Sequence, residues 1–413
     1  MDLLRFITAG SVDDGKSTLI GRLLYDSKNI LSDQLAALEK QSRNKENGEI
    51  DLALLTDGLR AEREQGITID VAYKYFATRK RKFIIADAPG HIQYTRNMIT
   101  GASNANLIVI LIDARNGVAE QTRRHSIIAS LLKIPHVIVA VNKMDLVNYS
   151  QDVFSNITID YAGIAKTLGL HDVTYIPISA LNGDNIVEKS ASLSWYEGGT
   201  LLEILENVQV ENDINLVTPR FPVQYVIRPQ TDELHDYRGY AGRIISGIYR
   251  TGDHVVVSPS GLLSRIKSIE TGGKEVEEAQ ANESVVMQLE DDIDVSRGDM
   301  ILKSGQMPQT NLEFDALLCW MDGKPLKEGN KYLLQISSRR VRASIREIQY
   351  KLDVNTLEKN HEIKQAGLND IVRVTIKVAS AIPYDPYDEL KANGGAILID
   401  ETSHVTVGAC MIQ

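Results

Sequence analysis

The sequence has two cysteines in 413 residues, Cys319 and Cys410, and so no material for a disulfide framework. This count points to a reducing cytosol and excludes a disulfide-rich secreted module. Long apolar runs are missing too. A membrane-crossing helix needs about 20 consecutive apolar residues, whereas the longest runs here, 107–112 and 137–141, have the length of buried strands. Polar and charged residues follow Leu3 and Leu4 almost at once, unlike a secretory signal. Excess positive charge is also lacking. Against 45 Lys and Arg stand 55 Asp and Glu, a formal net charge of -10. A chain that mainly coats nucleic acid or an acidic membrane carries the opposite balance, although a local basic patch remains open. The sequence contains no low-complexity tract and no clear repeat.

What is present is a globular composition, 43% hydrophobic and 24% charged, in a length suited to roughly two to four domains. The first half alternates two kinds of segment. Segments 5–8, 82–86, 107–113, 136–142 and 174–178 are mostly apolar and β-branched, with the length of strands. Segments 18–25, 122–132 and 200–208 carry a helical pattern. Near-continuous apolar strands separated by helices predict a parallel sheet covered on both faces. Around 212–222 the character changes, with Pro219 and Pro222 among polar residues. Beyond that point short strand-like segments recur at 222–227, 240–246, 254–258 and 284–289. After a second Pro-containing break at 304–310 they continue at 313–320, 331–337, 341–351, 370–378, 395–400 and 405–411. This spacing predicts barrels or sandwiches. The expected plan is an α/β P-loop domain followed by two all-β barrel domains, with bounds 1–212, 218–305 and 309–413.

The chemistry is concentrated in the first domain. Gly10, Ser11, Val12, Asp13, Asp14, Gly15, Lys16 and Ser17 fit G-x-x-x-x-G-K-[ST], after a strand and at the start of a helix. Glycines let backbone N–H groups wrap phosphates, and a helix N-terminus favours negative charge. Lys16 is placed to reach the β- and γ-phosphates, Ser17 to ligate Mg²⁺, and Thr18 to complete the cradle. Asn142, Lys143, Met144 and Asp145 follow an apolar strand. A carboxylate at Asp145 accepts from guanine N1 and N2, a donor pair that adenine does not offer. The Asn142 amide can bond N7, and the Lys143 stem can cover a face of the base. Such a match discriminates because the wrong base leaves polar groups unpaired.

Asp87, Ala88, Pro89, Gly90 and His91 follow a further strand. Asp87 is the candidate acid for Mg²⁺, and the Gly90 N–H a candidate γ-phosphate contact. His91 is a candidate to orient the attacking water. Thr68, within Gly66-Ile67-Thr68, is the candidate second hydroxyl ligand to Mg²⁺. Ser179, Ala180 and Leu181 offer a backbone contact to the guanine O6. The dense charge of 57–66 reads as a solvated helix face. A basic segment, 337–346, suits either the polar face of a barrel strand or a partner surface.

These motifs, in this order and followed by two β domains, resemble the translational GTPase superfamily over essentially the whole chain. Longer strings narrow the resemblance: 10–27, 59–73, 93–98, 121–125 and 220–229 are similar to the GTPase subunits of bacterial heterodimeric sulfate adenylyltransferases. The resemblance implies GTP hydrolysis with Mg²⁺, coupled to formation of adenylyl sulfate and diphosphate from ATP and sulfate. The adenylyl transfer would take place on an ATP-pyrophosphatase-type partner subunit, in a heterodimer or an assembly of heterodimers, in the cytoplasm. Neither a membrane nor a nucleic acid is expected as partner. Ala88 stands where the family usually has Thr, and Ile92 where it often has Glu. Some relatives continue into an adenylylsulfate kinase domain, and 413 residues leave no expected room for one. The alternative is a translation elongation factor delivering aminoacyl-tRNA. The three-domain plan fits both, and the long strings favour the first.

Overall fold

A computed structural model of the chain describes residues 2–28, 52, 71–88, 95–229, 237–353 and 355–413. The chain divides into two compact units, Met1–Val210 with Val354–Thr356, and Glu211–Asp353 with Leu357–Gln413. No helix among the described residues is long and apolar enough to cross a membrane.

The first unit is built on a six-stranded sheet of order β2-β3-β1-β4-β5-β6. Its strands are β1 (Asp2–Ala9), β2 (Ala72–Ala77), β3 (Arg81–Asp87), β4 (Leu107–Asp113), β5 (His136–Asn142) and β6 (Asp172–Pro177). Only β2 runs antiparallel to its neighbour. Every residue of β4 is buried, which explains why its sequence is an unbroken apolar run rather than an alternation. The helices are α1 (Lys16–Asp26), α2 (Thr95–Ala102), α3 (Glu120–Leu131), α4 (Gln151–Leu168) and α5 (Leu201–Asn207). Strand β1 pairs with β3 on one side and β4 on the other, so the loop after β1 leaves the carboxyl edge where strand order reverses. Open α/β sheets bind ligands at that edge.

Helix α4 was not legible as a helix from the sequence. Its buried residues are Ile157, Tyr161 and Ala165, a narrow stripe at i, i+4 and i+8, and the rest carries Asn, Thr, Asp and Gly. Capping defines it instead: the Ser150 hydroxyl accepts from the Val153 N–H, and Gly169 closes the C-terminus in the left-handed region.

The second unit holds two large sheets, each with its own core, and two short two-stranded ones. In the first, Phe221–Pro222 pairs with Met300–Lys303, and Tyr225–Ile227 pairs with Gly239–Arg243. These are the two ends of one sheet, so the single segment 221–227 closes it into a barrel around Phe221, Tyr240, Tyr249 and Met287. In the second, Lys331–Ile336 pairs with both Arg339–Leu352 and Gly395–Ile399, which closes that sheet around Leu318, Trp320, Leu334 and Val374. Cys319 and Cys410 lie buried there as free thiols. The strand Leu262–Thr271 escaped the sequence reading because its Ser, Arg and Lys positions dilute the apolar ones. The basic segment belongs to the strand Arg339–Leu352 and its turn. Three of its four arginines are matched by acids, Arg339 by Asp299, Arg342 by Glu401 and Arg346 by Glu313, and Arg340 donates to the Gln335 amide oxygen. Of the two readings, this favours the polar strand face.

The two barrels are locked together by a buried ion pair. Arg220 donates from Nε and Nη2 to both carboxylate oxygens of Asp385, each at 2.8 Å, and its Nη1 donates to the Gln306 carbonyl at 2.8 Å. Asn393 donates to Asp385 as well, at 2.7 Å. Removing one partner of such a pair strands a charge out of water, which typically costs about 3–5 kcal/mol. Asp385→Ala is therefore expected to lower the stability of this unit by about that amount. The loss should be read by chemical unfolding of the full chain, following Trp320 fluorescence in a Trp195→Phe background. The double variant Arg220→Met with Asp385→Leu is expected to lose less than the single one.

Candidate functional site

Three loops meet at the carboxyl edge of the first sheet. The first joins β1 to α1. Gly15 has φ +91°, and a Cβ there would sit 2.5 Å from the Asn142 Nδ2. At Gly10 a Cβ would sit 3.1 Å from the Asp14 carboxylate and 3.2 Å from the Leu111 Cβ. The backbone at Gly15 therefore selects glycine, and Gly10 leaves little room for a side chain. Gly15 caps α1 without a side-chain bond, so the helix leaves its first N–H groups for an anion. The loop is braced from within. Asp14 donates its N–H to the Ser11 carbonyl at 3.3 Å, and its carboxylate accepts the Ser11 N–H at 2.5 Å. Val12 and Asp13 are exposed at the tip.

Lys16 is buried, and its ammonium donates to the carbonyls of Gly10, at 3.0 Å, and Ser11, at 2.7 Å. Burial lowers its pKa, and the nearby charges of Asp87, Asp14 and Asp13 oppose that shift. Asp87 ends β3, buried, and accepts the Thr8 hydroxyl at 3.2 Å. Ala88 beside it is fully buried. Ser17 and Thr18 are half-buried on the first turn of α1. His125 on α3 was not read as a site residue. It is buried with its Nδ1 unpartnered, and burial, together with the charges of Lys16 and Arg124, pushes its pKa down to about 3. A neutral imidazole near Lys16 adds no positive charge to the loop.

The second and third loops follow β5 and β6. The Asn142 Nδ2 donates to the Asp14 carbonyl at 2.7 Å, and its Oδ1 accepts the Ala180 N–H at 2.9 Å. Lys143 adopts φ +63°. Its ammonium donates to the Asp13 carbonyl at 2.5 Å and pairs with Asp113 at 2.9 Å. Burial alone would raise the Asp113 carboxyl, but hydrogen bonds from Arg115 and Lys143 hold it well below the usual range. Met144 is buried and donates its N–H to the Ile178 carbonyl at 3.2 Å. Ser179 is buried, and its hydroxyl accepts the Asn182 N–H at 3.3 Å. The carbonyls of Ala180 and Leu181 accept from Arg22 of α1.

Asp145 is the exception in this bonded network. Its Oδ1 is buried and has no partner among the described residues. An orphaned acceptor of this kind fits a ligand edge that brings donors, which is what guanine N1 and N2 supply and adenine does not. The loop's glycines and free helix N-terminus fit phosphates, and the oxygen donors Ser17 and Asp87 suit Mg²⁺. Thus Gly10 to Thr18, Asp87, Asn142 to Asp145 and Ser179 to Leu181 come to one edge. Thr68, Pro89, Gly90 and His91 lie outside the described residues, as does the charged stretch 57–66. Arg22, Asp113 and His125 were missed because their roles depend on partners far away in sequence.

The family model of the elongation factor Tu GTP binding domain matches residues 1–211, and that of the GTP-eEF1A C-terminal domain-like family matches 313–413. The chain is 53% identical to the bifunctional enzyme CysN/CysC of Mycobacterium tuberculosis, over 99% of this chain and 67% of that protein. It is 52% identical to sulfate adenylyltransferase subunit 1 of Aliarcobacter butzleri, over 100% of this chain and 87% of that protein. The same subunit of Bacteroides fragilis is also 52% identical, over 100% of this chain and 86% of that protein. Among solved structures, the S. cerevisiae Ski7 GTPase-like domain bound to GTP shares the fold, with a TM-score of 0.53 and 16% identity over 100% of this chain and 97% of that one.

The orphaned carboxylate carries a test. Asp145→Asn replaces one acceptor by a donor, so the variant should lose affinity for GTP and gain relative affinity for xanthosine triphosphate, whose ring carries a carbonyl at position 2. An unpaired buried polar group costs about 1–3 kcal/mol, so the preference should move by about tenfold or more. Equilibrium titration with both nucleotides measures it, and an unchanged preference would remove guanine from this pocket.

Proposed function

The chain belongs to the sulfate adenylyltransferase subunit 1 family, whose first domain is a GTP-binding domain of the elongation factor Tu type, and from that membership we propose that it hydrolyses GTP to drive adenylyl sulfate synthesis on a partner. The overall reaction takes ATP and sulfate to adenylyl sulfate and diphosphate. The partner is an ATP-pyrophosphatase-type subunit, paired with this chain in a heterodimer or an assembly of heterodimers in the cytoplasm. The observation that carries this reading is similarity at about half identity over the whole chain, barrels included, to proteins named for this activity. The plan of three domains, 1–212, 218–305 and 309–413, belongs to the same reading and is supported by three separate cores. Delivery of aminoacyl-tRNA uses a similar plan, but the relatives' names do not favour it.

Each residue has a role in this reading. Asp145 takes the guanine donors, and Asn142 fixes the loops on either side of the base. The Ser179 to Leu181 backbone meets the O6. The N–H groups of Asp13 and of Gly15 to Thr18 wrap the phosphates, and that of Asp14 braces the loop on the Ser11 carbonyl. Lys16 exchanges its bonds to the Gly10 and Ser11 carbonyls for phosphate oxygens, a change a buried cation favours because carbonyls only partly compensate its desolvation. Ser17, Thr68 and Asp87 would hold Mg²⁺, which supplies neutralisation of charge on the phosphates. His91 orients the water that attacks the γ-phosphate in line.

Coupling follows from linkage. If the partner's site is better assembled in one nucleotide state of this chain, the partner must in turn bias nucleotide binding here by the same factor.

His91→Ala should bind GTP normally and hydrolyse it at least about a hundredfold more slowly in single-turnover assays, the usual scale for a lost water-positioning group. Unchanged hydrolysis would clear His91 of this role. Mixing the chain with an ATP-pyrophosphatase-type subunit, ATP, sulfate and GTP should give adenylyl sulfate in an amount that depends on GTP. If GTP makes no difference, and the chain instead protects aminoacyl-tRNA from deacylation, the delivery reading replaces this one.

A further inference from the structure

Arg22 lies on α1, six residues after Lys16, and no motif accounts for it. Its side chain is 20% exposed, and it crosses from α1 to the loop that follows β6. There Nε donates to the Ala180 carbonyl at 3.3 Å and Nη2 donates to the Leu181 carbonyl. The third nitrogen, Nη1, pairs with Asp26 one turn further along α1, at 3.7 Å. Gly183, at φ +86°, turns the loop back against this clamp. A Cβ there would sit 3.3 Å from the Asp26 carboxylate and 3.5 Å from the Arg22 Cδ. Beside the clamp is a cavity of about 550 Å³, lined by Tyr25, Lys28, Asn182, Val187 and Glu188 along with the clamp residues. The loop is held at its N–H groups by Asn142 and by its own turn, and its Ala180 and Leu181 carbonyls are held by the guanidinium.

The consequence follows from peptide planarity. In a trans peptide the C=O of one residue and the N–H of the next point in opposite directions. With the Ala180 carbonyl bound to Arg22, the Leu181 N–H is turned away from α1. The other backbone donors of the segment are engaged: Ser179 with the Asp184 carbonyl, Ala180 with the Asn142 Oδ1, and Asn182 with the Ser179 hydroxyl. The Leu181 N–H has no partner among the described residues. It is the backbone donor the segment has left to offer a ligand.

The geometry points to Arg22 as a positioning residue for base selection: it fixes the 180–181 peptide so that the Leu181 N–H is presented to the 6-oxo group of guanine. This rests on the reading that the base lies between Asp145 and the 179–181 segment. Arg22 touches no nucleotide atom in this scheme and acts through the backbone. It also makes one helix hold both ends of the nucleotide, with Lys16 and Ser17 at its first turn and the base loop clamped from its second.

The test separates the 6-position from the 2-position. 6-Thio-GTP keeps both donors for Asp145 but offers sulfur, a weak acceptor, at position 6. Inosine triphosphate keeps the 6-oxo group and lacks the 2-amino donor. Wild-type protein is expected to prefer GTP over both. Arg22→Met keeps the apolar stem and removes every donor. It should lower the preference for GTP over 6-thio-GTP by about tenfold, the scale of one hydrogen bond to a ligand, and leave the preference for GTP over inosine triphosphate unchanged. Arg22→Ala should do the same, and it decides the matter if the Met variant fails to fold. If the 6-thio-GTP preference survives in the folded variants, or if all three nucleotides weaken alike, Arg22 has no selective role. If wild-type protein itself shows neither preference, the base-site reading fails first, and this inference falls with it.

Discussion

The site depends on one side chain, the amide of Asn142. Its nitrogen holds the Asp14 carbonyl of the phosphate loop, and its oxygen holds the Ala180 N–H of the third loop. Three loops emerge from β1, β5 and β6, strands that are not all neighbours, and each must end in register with the others for one ligand to touch all of them. A carboxamide suits this junction because it carries a donor and an acceptor on one planar group. Aspartate would repel the carbonyl, and leucine would leave two buried polar groups unsatisfied. The close approach explains Gly15 as well, since a side chain there would collide with the amide. Asn142 therefore accounts both for a motif residue and for a glycine 127 positions earlier (142 − 15).

Charge around the loop follows a related logic. A triphosphate brings several negative charges, yet the described loop residues include three carboxylates, Asp13, Asp14 and Asp87, and one buried lysine. Two of the three acids have tasks of their own, and Asp13 is exposed at the loop tip. Asp14 turns inward onto the Ser11 N–H, and Asp87 accepts from Thr8. Asp113 is neutralised by Arg115 and Lys143, which fixes the Lys143 stem across the loop mouth. His125 stays neutral under Lys16. What remains for a ligand is the lysine, the helix N-terminus and the unpaired oxygen of Asp145. These are two features that select for phosphate and one that selects for a base edge rich in donors.

The sequence exposed these elements unevenly, for physical reasons. Strands β4 and β5 are buried on both faces, so their apolar runs mark both their type and their limits, and both were bounded correctly from composition alone. The phosphate loop was legible because its glycines and lysine are required locally. The motif after β5 stood out because Asn142, Lys143 and Asp145 fall within four consecutive residues. Helix α4 was not, since it buries only one narrow stripe and is defined by its caps. Arg22, Asp113 and His125 were not, since what they do is set by residues that tertiary structure alone brings near. Arg22 reaches a loop 158 positions away, and no local pattern could mark it.

The second unit is built to behave as one body, which bears on coupling. Two small barrels joined by a polar contact would ordinarily move against each other, because interfaces within a chain resemble transient ones. Here Arg220 and Asp385 are both buried, joined by two parallel bonds and backed by Asn393 and the Gln306 carbonyl. The Ser338 hydroxyl adds a bond at 2.8 Å to the Val223 carbonyl, from the turn of one barrel to the first strand of the other. A buried pair of this kind contributes little net stability, but it penalises every arrangement that separates its partners. Specificity of arrangement is what the proposed coupling needs. A nucleotide can shift a partner only by as much as it distinguishes two states of the chain. A loose pair of barrels would spread that difference over many small motions, whereas a locked pair can pass it on as a single displacement.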